Sequence, residues 1–311
     1  MSRAFVFPGQ ASQAVGMGAD LAAAFPTARQ VFEEVDDALS QRLSRLMFEG
    51  PGEELTLTEN AQPAIVAVSL AVVRVLERDG GFRLAEKAHF VAGHSMGEYS
   101  ALGATGALWV ADAVRLVKRR GRAMQEAVPV GEGAMAALLG FDVAEARAVA
   151  EDAGGVCTAA NDNAPGQVVI SGSREAVERA VEIAAERGAR RSIMLPVSAP
   201  FHCPLMAPAA EVMAEALAET PMAPPVVPLI CNMTAAPVED ADEIRRRLVE
   251  QVLGMVRWRE SVLYMRDHDV DTVVEIGAGR VLTGLTRRID RDLRGVTVGT
   301  PEEVEAFLDI L

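Results

Sequence analysis

Histidine is scarce in this chain, with four in 311 residues, and cysteine, tryptophan and tyrosine are scarcer still. Any chemistry that needs an imidazole must therefore draw on His89, His94, His202 or His268. The three cysteines, Cys157, Cys203 and Cys231, are odd in number and lack metal-ligand spacing. That pattern argues against a disulfide framework or a thiolate metal site, and it reads as reduced thiols in a cytoplasmic protein. Aromatic residues make up only 5% of the chain while apolar residues make up 50%, which suits an α/β protein better than a β-sandwich and speaks against disorder. Basic residues are outnumbered 30 to 44, and a net charge of -14 argues against general affinity for nucleic acid. Long hydrophobic runs are missing too. The most apolar stretch, residues 64–73, is closed by Arg74 well short of the roughly 20 residues needed to span a bilayer. The N-terminal run Ala4-Phe5-Val6-Phe7 is too short for a signal peptide and reads as a first strand. A soluble protein with no membrane contact is expected.

A chain of 311 residues can bury a substantial core, in one large domain or two modest ones. The first strand runs into a loop, residues 8–18, rich in Gly, Gln and Ser, and α/β folds place ligands at such loops beyond buried strands. Helical periodicity follows over residues 28–39 and 61–77, with Pro63 suited to a first helical turn. Residues 90–92 make a second strand, and residues 109–124 an amphipathic helix. On that helix Arg115, Arg119 and Arg122 recur at helical spacing, while Arg120 falls on another face, an offset that could aim it inward.

From Gly133 the pattern becomes strand 134–140, helix 143–153, strands 156–160 and 167–171, helix 175–187 and strand 191–197. This β-α-β-β-α-β order is that of a ferredoxin-like unit. Residues 131–197 are therefore expected to form a small subdomain inserted into a larger α/β domain made of residues 1–130 and 198–311. The larger domain resumes with a helix at 208–219, a proline-rich turn at 221–228 and a strand at 229–232, followed by a helix, a strand at 273–276 and a helix. Two basic clusters interrupt the acidic background, Lys118 with Arg119, Arg120 and Arg122, and Arg187 with Arg190 and Arg191. Each is either a solvated helix face or a docking patch for an acidic partner.

The stretch Val91-Ala92-Gly93-His94-Ser95-Met96-Gly97-Glu98 carries an apolar strand into Gly-x-Ser-x-Gly and on into a helical pattern. In a nucleophile elbow the serine sits on a tight strand-to-helix turn flanked by glycines, so that Oγ stands above the sheet. A Gly/Ser turn that merely joins two elements has the same composition. A serine hydroxyl near neutral pH needs a base within hydrogen-bond reach. His89 and His268 each precede a strand and belong at the far end of a parallel sheet, and His94 points into or across the elbow. His202, in the loop where the chain returns from the insert, remains. No acid stands out to orient it, so a Ser-His dyad with a backbone carbonyl behind the imidazole fits what is present.

Gly93-His94-Ser95-Met96-Gly97-Glu98-Tyr99-Ser100-Ala101-Leu102, the opening Phe7-Pro8-Gly9-Gln10, Asn163-Ala164-Pro165-Gly166-Gln167-Val168-Val169 and Val281-Leu282-Thr283-Gly284-Leu285 together resemble malonyl-CoA:acyl carrier protein transacylases of bacterial fatty acid synthesis. The resemblance covers nearly the whole chain and implies an α/β-hydrolase-like large domain with a parallel sheet beside the inserted subdomain. It further implies that malonyl-CoA acylates Ser95 and that an acyl carrier protein takes the malonyl group on its pantetheine thiol, with no metal or other cofactor. His202 would serve as general base and then acid, oriented by the backbone carbonyl of Gln251. The N–H groups of Gln10 and Met96 would form the oxyanion hole. Arg120 would hold the free malonyl carboxylate, since a guanidinium fork fits a planar carboxylate. Gln62, His94 and Gln167 would line the pocket. Without the resemblance, Arg120 reads as a surface ion pair and the glutamines as loop caps.

Phe201, just before His202, resembles the malonyl-preferring form of the motif, though one excluded methyl is worth only about 1–3 kcal/mol. Three positions depart from the family pattern. Ala11 replaces a glycine in Gly9-Gln10-Ala11-Ser12-Gln13, and it would strain the loop if that position needs positive φ. Met255 stands where proline is usual, and Ala278 lies between Gly277 and Gly279. Other readings are a polyketide acyltransferase, a serine thioesterase or esterase, and a non-catalytic carrier-binding protein. A monomer is expected, because no long apolar surface stripe is evident.

Overall fold

Phe5, Val6 and Phe7 leave no polar face for water, the pattern of a strand covered by helices on both sides. The computed structural model, which describes residues 2–310, puts this strand at the centre of a sheet. Its ten strands are β1 (Arg3–Phe7), β2 (Phe90–Gly93), β3 (Gly133–Leu139), β4 (Cys157–Ala164), β5 (Gln167–Ser173), β6 (Arg191–Met194), β7 (Leu229–Ile230), β8 (Pro237–Val238), β9 (Thr272–Ile276) and β10 (Arg294–Val298). They form two sheets. The larger has the order β10-β9-β1-β2-β7-β8, parallel except for the antiparallel edge strand β8. The smaller, β4-β5-β3-β6, is antiparallel and has one helix after β3 and another after β5, the order expected of a ferredoxin-like unit.

Helix Thr58–Arg78 is buried almost all round, and with 21 residues it is long and apolar enough to cross a membrane. Here 89% of its apolar window lies inside the protein, so its apolar surface meets other side chains rather than lipid. Pro63 is an interior residue of this helix and not part of its first turn, because the helix begins three residues before the expected start at Ala61. The small sheet has its own core, in which Phe141, Leu138, Val149, Val168, Ile170 and Val177 pack together and Met255 lies against them.

Two departures from the sequence reading matter. Strand β10 and the terminal helix Pro301–Leu308 were not expected, since β10 is a half-exposed edge without an apolar run. Strand β4 continues to Ala164 where a loop was expected after residue 160. Its polar end Asn161-Asp162-Asn163 is paired with β5 through bulges, and Asn161 also bridges to Val256 of the large unit. That continuation delivers Asn163 to the active-site side of the large sheet.

Candidate active site

Strand β2 ends at Gly93, and helix Gly97–Ala104 starts four residues on, so the turn between them is tight. A Cβ on Gly93 would come within 1.9 Å of the Gly97 carbonyl carbon, and one on Gly97 within 2.3 Å of the Phe7 carbonyl oxygen. Both flanking glycines are therefore obligatory. Ser95 sits between them at φ 53°, a left-handed conformation that costs a non-glycine residue of order 1–3 kcal/mol and persists only where its surroundings enforce it. The enforcing groups are at hand. The Ser95 N–H donates to Asn232 Oδ1 at 2.8 Å, and its carbonyl accepts from Gln251 Nε2 at 2.9 Å.

His202 reaches Ser95 Oγ with Nε2 at 2.8 Å, and its Nδ1 lies 2.7 Å from the Gln251 carbonyl. Since a carbonyl can only accept, Nδ1 carries the proton and Nε2 is free to take one from the serine hydroxyl. Burial, and then the nearby Arg120 charge, push the His202 imidazole down to about 3. It is thus a neutral base across the whole physiological range. Like Ser95, His202 is held at positive φ, 59°.

Arg120 is 1% exposed, so it does turn inward from its helix. Its guanidinium donates to Gln62 Oε1 at 3.0 Å, Gln251 Oε1 at 3.0 Å and Ser95 Oγ at 3.1 Å, and its Nε–H has no partner in the protein. A buried cation with spare donors beside a nucleophile is an anion site. The only buried carboxylate facing it among the described residues is Glu98, whose two oxygens accept from the Asn232 N–H and Gln251 Nε2. Burial pushes the Glu98 carboxyl up to about 8 against the pull of those donors and of Arg120.

Gln10 follows β1 and stands beside the elbow, its side chain donating to Thr58 Oγ1 at 3.3 Å. Among the described residues neither the Gln10 nor the Met96 N–H donates to another backbone or side-chain group, which leaves both open to an incoming oxygen. The next residue, Ala11, has φ 81°, so the feared strain is present, and its N–H is tied back to Gln13 Oε1 at 2.8 Å.

His94 is tied to Asn163, with Nε2 2.8 Å from Asn163 Oδ1, and its ring is tilted against Trp258. His89 lies against Phe90 and His268 is stacked on Tyr264, both at the start of the strands and away from the elbow. One expected pocket residue is not in the pocket. Gln167 accepts a hydrogen bond from Arg288 at 2.7 Å and touches none of the groups around Ser95, because it opens β5 at the tip of the hairpin.

Three contributors went unread in the sequence. Asn232 also donates to the Gly93 carbonyl at 2.7 Å, Glu98 grips two distant segments, and the Gln251 side chain works beside its carbonyl. The available signal was a lone charge, Glu98, in the otherwise uncharged helix Gly97–Ala104. No cluster of three or more metal-ligating side chains occurs among the described residues.

The basic clusters fare unevenly. Lys118 is spent on Gln41, Asn60 and Glu59, Arg119 on Glu215 and Glu219, and Arg187 on Asp152. A different group of arginines is open. Arg190, Arg287, Arg288 and Arg291 wall a groove of about 870 Å³ between the hairpin tip at Pro165 and Gly166 and helix Val281–Ile289. Arg190, Arg287 and Arg291 form no salt bridge among the described residues.

Residues 4–298 match the acyl transferase domain family. The chain is 45% identical to the malonyl CoA-acyl carrier protein transacylase of Bacillus subtilis strain 168, over 99% of this chain and 96% of that one. Among solved structures it is similar to an acyl-carrier-protein-S-malonyltransferase from Bartonella henselae, at 54% identity and TM-score 0.98, covering 100% of this chain and 99% of that one. It is also similar, at 42% identity and TM-score 0.96 over 100% of both chains, to a malonyl-transacylase in complex with its type II PKS acyl-carrier protein.

Proposed function

The chain belongs to the acyl transferase domain family as an acyl-carrier-protein S-malonyltransferase of fatty acid synthesis, and we propose that Ser95, His202 and Arg120 divide its chemistry among them. Malonyl-CoA enters with its free carboxylate on Arg120. His202 Nε2 takes the Ser95 proton as Oγ attacks the thioester carbonyl. The developing oxyanion accepts from the Gln10 and Met96 N–H groups, which stabilise charge present only in the tetrahedral intermediate. The imidazolium, steadied through Nδ1–H by the Gln251 carbonyl, returns its proton to the departing CoA thiolate. In the second half His202 takes the proton of the carrier pantetheine thiol, the thiolate attacks the malonyl-serine ester, and Ser95 recovers its proton. The exchange is redox-neutral, and these residues supply its nucleophile, proton carrier and anion site without a cofactor.

One observation carries this reading. Arg120 lies 3.1 Å from Ser95 Oγ, close enough to hold the far carboxylate of a three-carbon diacid while its thioester carbonyl meets the serine. Arg120→Ala should lower kcat/KM for malonyl-CoA by about 10²-fold, the scale of a buried charge-assisted pair, and lower that for acetyl-CoA far less. Equal loss on both substrates would remove Arg120 from substrate selection. A thioesterase would let water attack the same ester, so the ratio of transfer to hydrolysis with carrier present separates the two reactions.

The carrier's acidic surface requires local positive charge on an enzyme of net charge -14. Lys118 and Arg187 are neutralised by their own neighbours, and the arginine groove suits the purpose better. It opens three residues beyond Asn163, about 10 Å along an extended chain, and Asn163 is bonded to His94 next to the serine. We also propose that residues 1–130 with 198–311 form the catalytic unit around the inserted residues 131–197, and that the enzyme works as a cytoplasmic monomer.

A further inference from the structure

The positive φ of Ser95, the inward position of Arg120 and the carbonyl behind His202 all converge on one residue, Gln251, whose side chain is itself anchored by Glu98. A glutamine amide can be inserted either way round, and the two ends differ in sign. With its NH₂ toward Glu98 and the Ser95 carbonyl, its oxygen must face Arg120. Turned over, it would present hydrogens to a guanidinium, and the Ser95 carbonyl would keep only the Glu98 backbone N–H, 3.1 Å away. Arg120, which only donates, and the Ser95 carbonyl, which only accepts, each favour the first state but keep another partner in the second. Arg120 is also held by Gln62, and the Ser95 N–H by Asn232. Glu98 adds the deciding constraint, because in the ionised form that these two donors favour both its oxygens accept, one from the Asn232 backbone N–H at 2.7 Å and the other from the Gln251 amide.

We infer that Glu98 is a positioning residue for acyl selection: by fixing which end of the Gln251 amide faces Arg120, it holds the guanidinium where a substrate carboxylate must bind. The Glu98 side chain touches neither substrate nor Ser95, although its backbone N–H donates to the Ser95 carbonyl at 3.1 Å; the carboxyl acts through Gln251 on Arg120, and through Asn232 and Gln251 on the two backbone groups of Ser95. This inference rests on the assignment of Arg120 to the malonyl carboxylate. It predicts that loss of Glu98 is felt more by malonyl-CoA than by acetyl-CoA, although both use the same serine.

The test compares kcat and KM for malonyl-CoA and acetyl-CoA in Glu98→Gln, Gln251→Met, Arg120→Ala and the Glu98→Gln/Arg120→Ala double variant. Glu98→Gln preserves shape but offers an NH₂ where the Gln251 amide needs an acceptor. The malonyl-to-acetyl ratio of kcat/KM should fall about tenfold in Glu98→Gln, the size of one charge-assisted hydrogen bond, mainly through the malonyl KM. Gln251→Met, which keeps the backbone carbonyl for His202, should lower the ratio similarly. Glu98→Gln should change the ratio no further once Arg120 is absent. Equal losses on both substrates, or an undiminished effect in the Arg120→Ala background, would overturn the inference. Should Glu98→Gln fail to fold, an unchanged ratio in Gln251→Met would overturn it as well. If Arg120→Ala itself keeps the wild-type ratio, the assignment of Arg120 has failed, whereas a collapsed ratio in Arg120→Ala with an unchanged one in Glu98→Gln refutes Glu98 alone.

Discussion

The elbow of the large sheet and the groove at the tip of the small one are both rich in charge, and they treat it in opposite ways. Around Ser95 nearly every polar group is buried and partnered: Arg120 is 1% exposed, Glu98 is 1% exposed, and Asn232 and Gln251 are fully buried. In the groove Arg287, Arg288 and Arg291 form no salt bridge among the described residues, and Arg288 donates to the side-chain oxygen of Gln167. A buried network is expensive to assemble and holds geometry to within fractions of an ångström, which covalent chemistry needs. An open set of arginines fixes no geometry but raises the local concentration of an acidic partner and its rate of encounter. On the proposed reading the molecule separates transfer from capture, the first on strained, over-determined backbone and the second on side chains free of acidic partners.

His202→Ala should break the first region most severely, lowering kcat by on the order of 10²–10⁴-fold in stopped-flow acylation. The same residue sharpens the account through pH. An imidazole pushed from 6.5 down to about 3 stays neutral on acidification through 6.5, so kcat/KM should show no inflection there. The unfolded chain binds that proton near 6.5 and the folded chain only near 3, so this residue's contribution makes the protein less stable as pH falls through that window. A rate profile with its acid limb at 6.5 would mean that His202 is not the buried base.

Asn232→Ala comes next. It leaves the Ser95 N–H and the Gly93 carbonyl unsatisfied, and about 1–3 kcal/mol of stability should be lost in denaturant melts, with slower acylation because the elbow relaxes. An unchanged acylation rate would show that the strain at Ser95 is held from elsewhere. In the second region, Arg287→Glu with Arg291→Glu should raise the KM for carrier protein about tenfold at low salt and flatten its salt dependence. Lys118→Glu is the control that should leave carrier kinetics alone, and the reverse pattern would move the docking surface. The smallest effect is expected at Ala11→Gly. Relief of φ 81° should raise stability by up to about 1 kcal/mol, read as a higher thermal midpoint.

Much of the first region is legible in the sequence because its signals are local. Gly93-His94-Ser95-Met96-Gly97 states a turn that only glycines permit, and four histidines leave His202 by elimination. Arg120 announces itself by falling off the face of Arg115, Arg119 and Arg122. The supports are not legible. Glu98, Asn232 and Gln251 lie up to 153 residues apart in sequence and meet only when helix Gly97–Ala104, the segment after β7 and helix Ala241–Leu253 converge. The groove is hidden for the same reason, since Arg190 and Arg287 belong to different sheets' flanks. Gln167 was read into the pocket from a motif, but the alternation of a strand turns its side chain to Arg288. Likewise Asn161-Asp162-Asn163 reads as a loop by composition, yet its polar groups are satisfied across the boundary by Val256, Arg259 and His94.

The central claim is that Ser95 carries the malonyl group in transit. Intact-mass measurement after a brief pulse of malonyl-CoA, with acetyl-CoA in parallel, tests it directly for wild type and Ser95→Ala. A malonyl adduct on the wild type, absent from Ser95→Ala and discharged on addition of carrier protein, is the predicted result. An adduct that survives in Ser95→Ala, or carrier malonylation without Ser95, would contradict it.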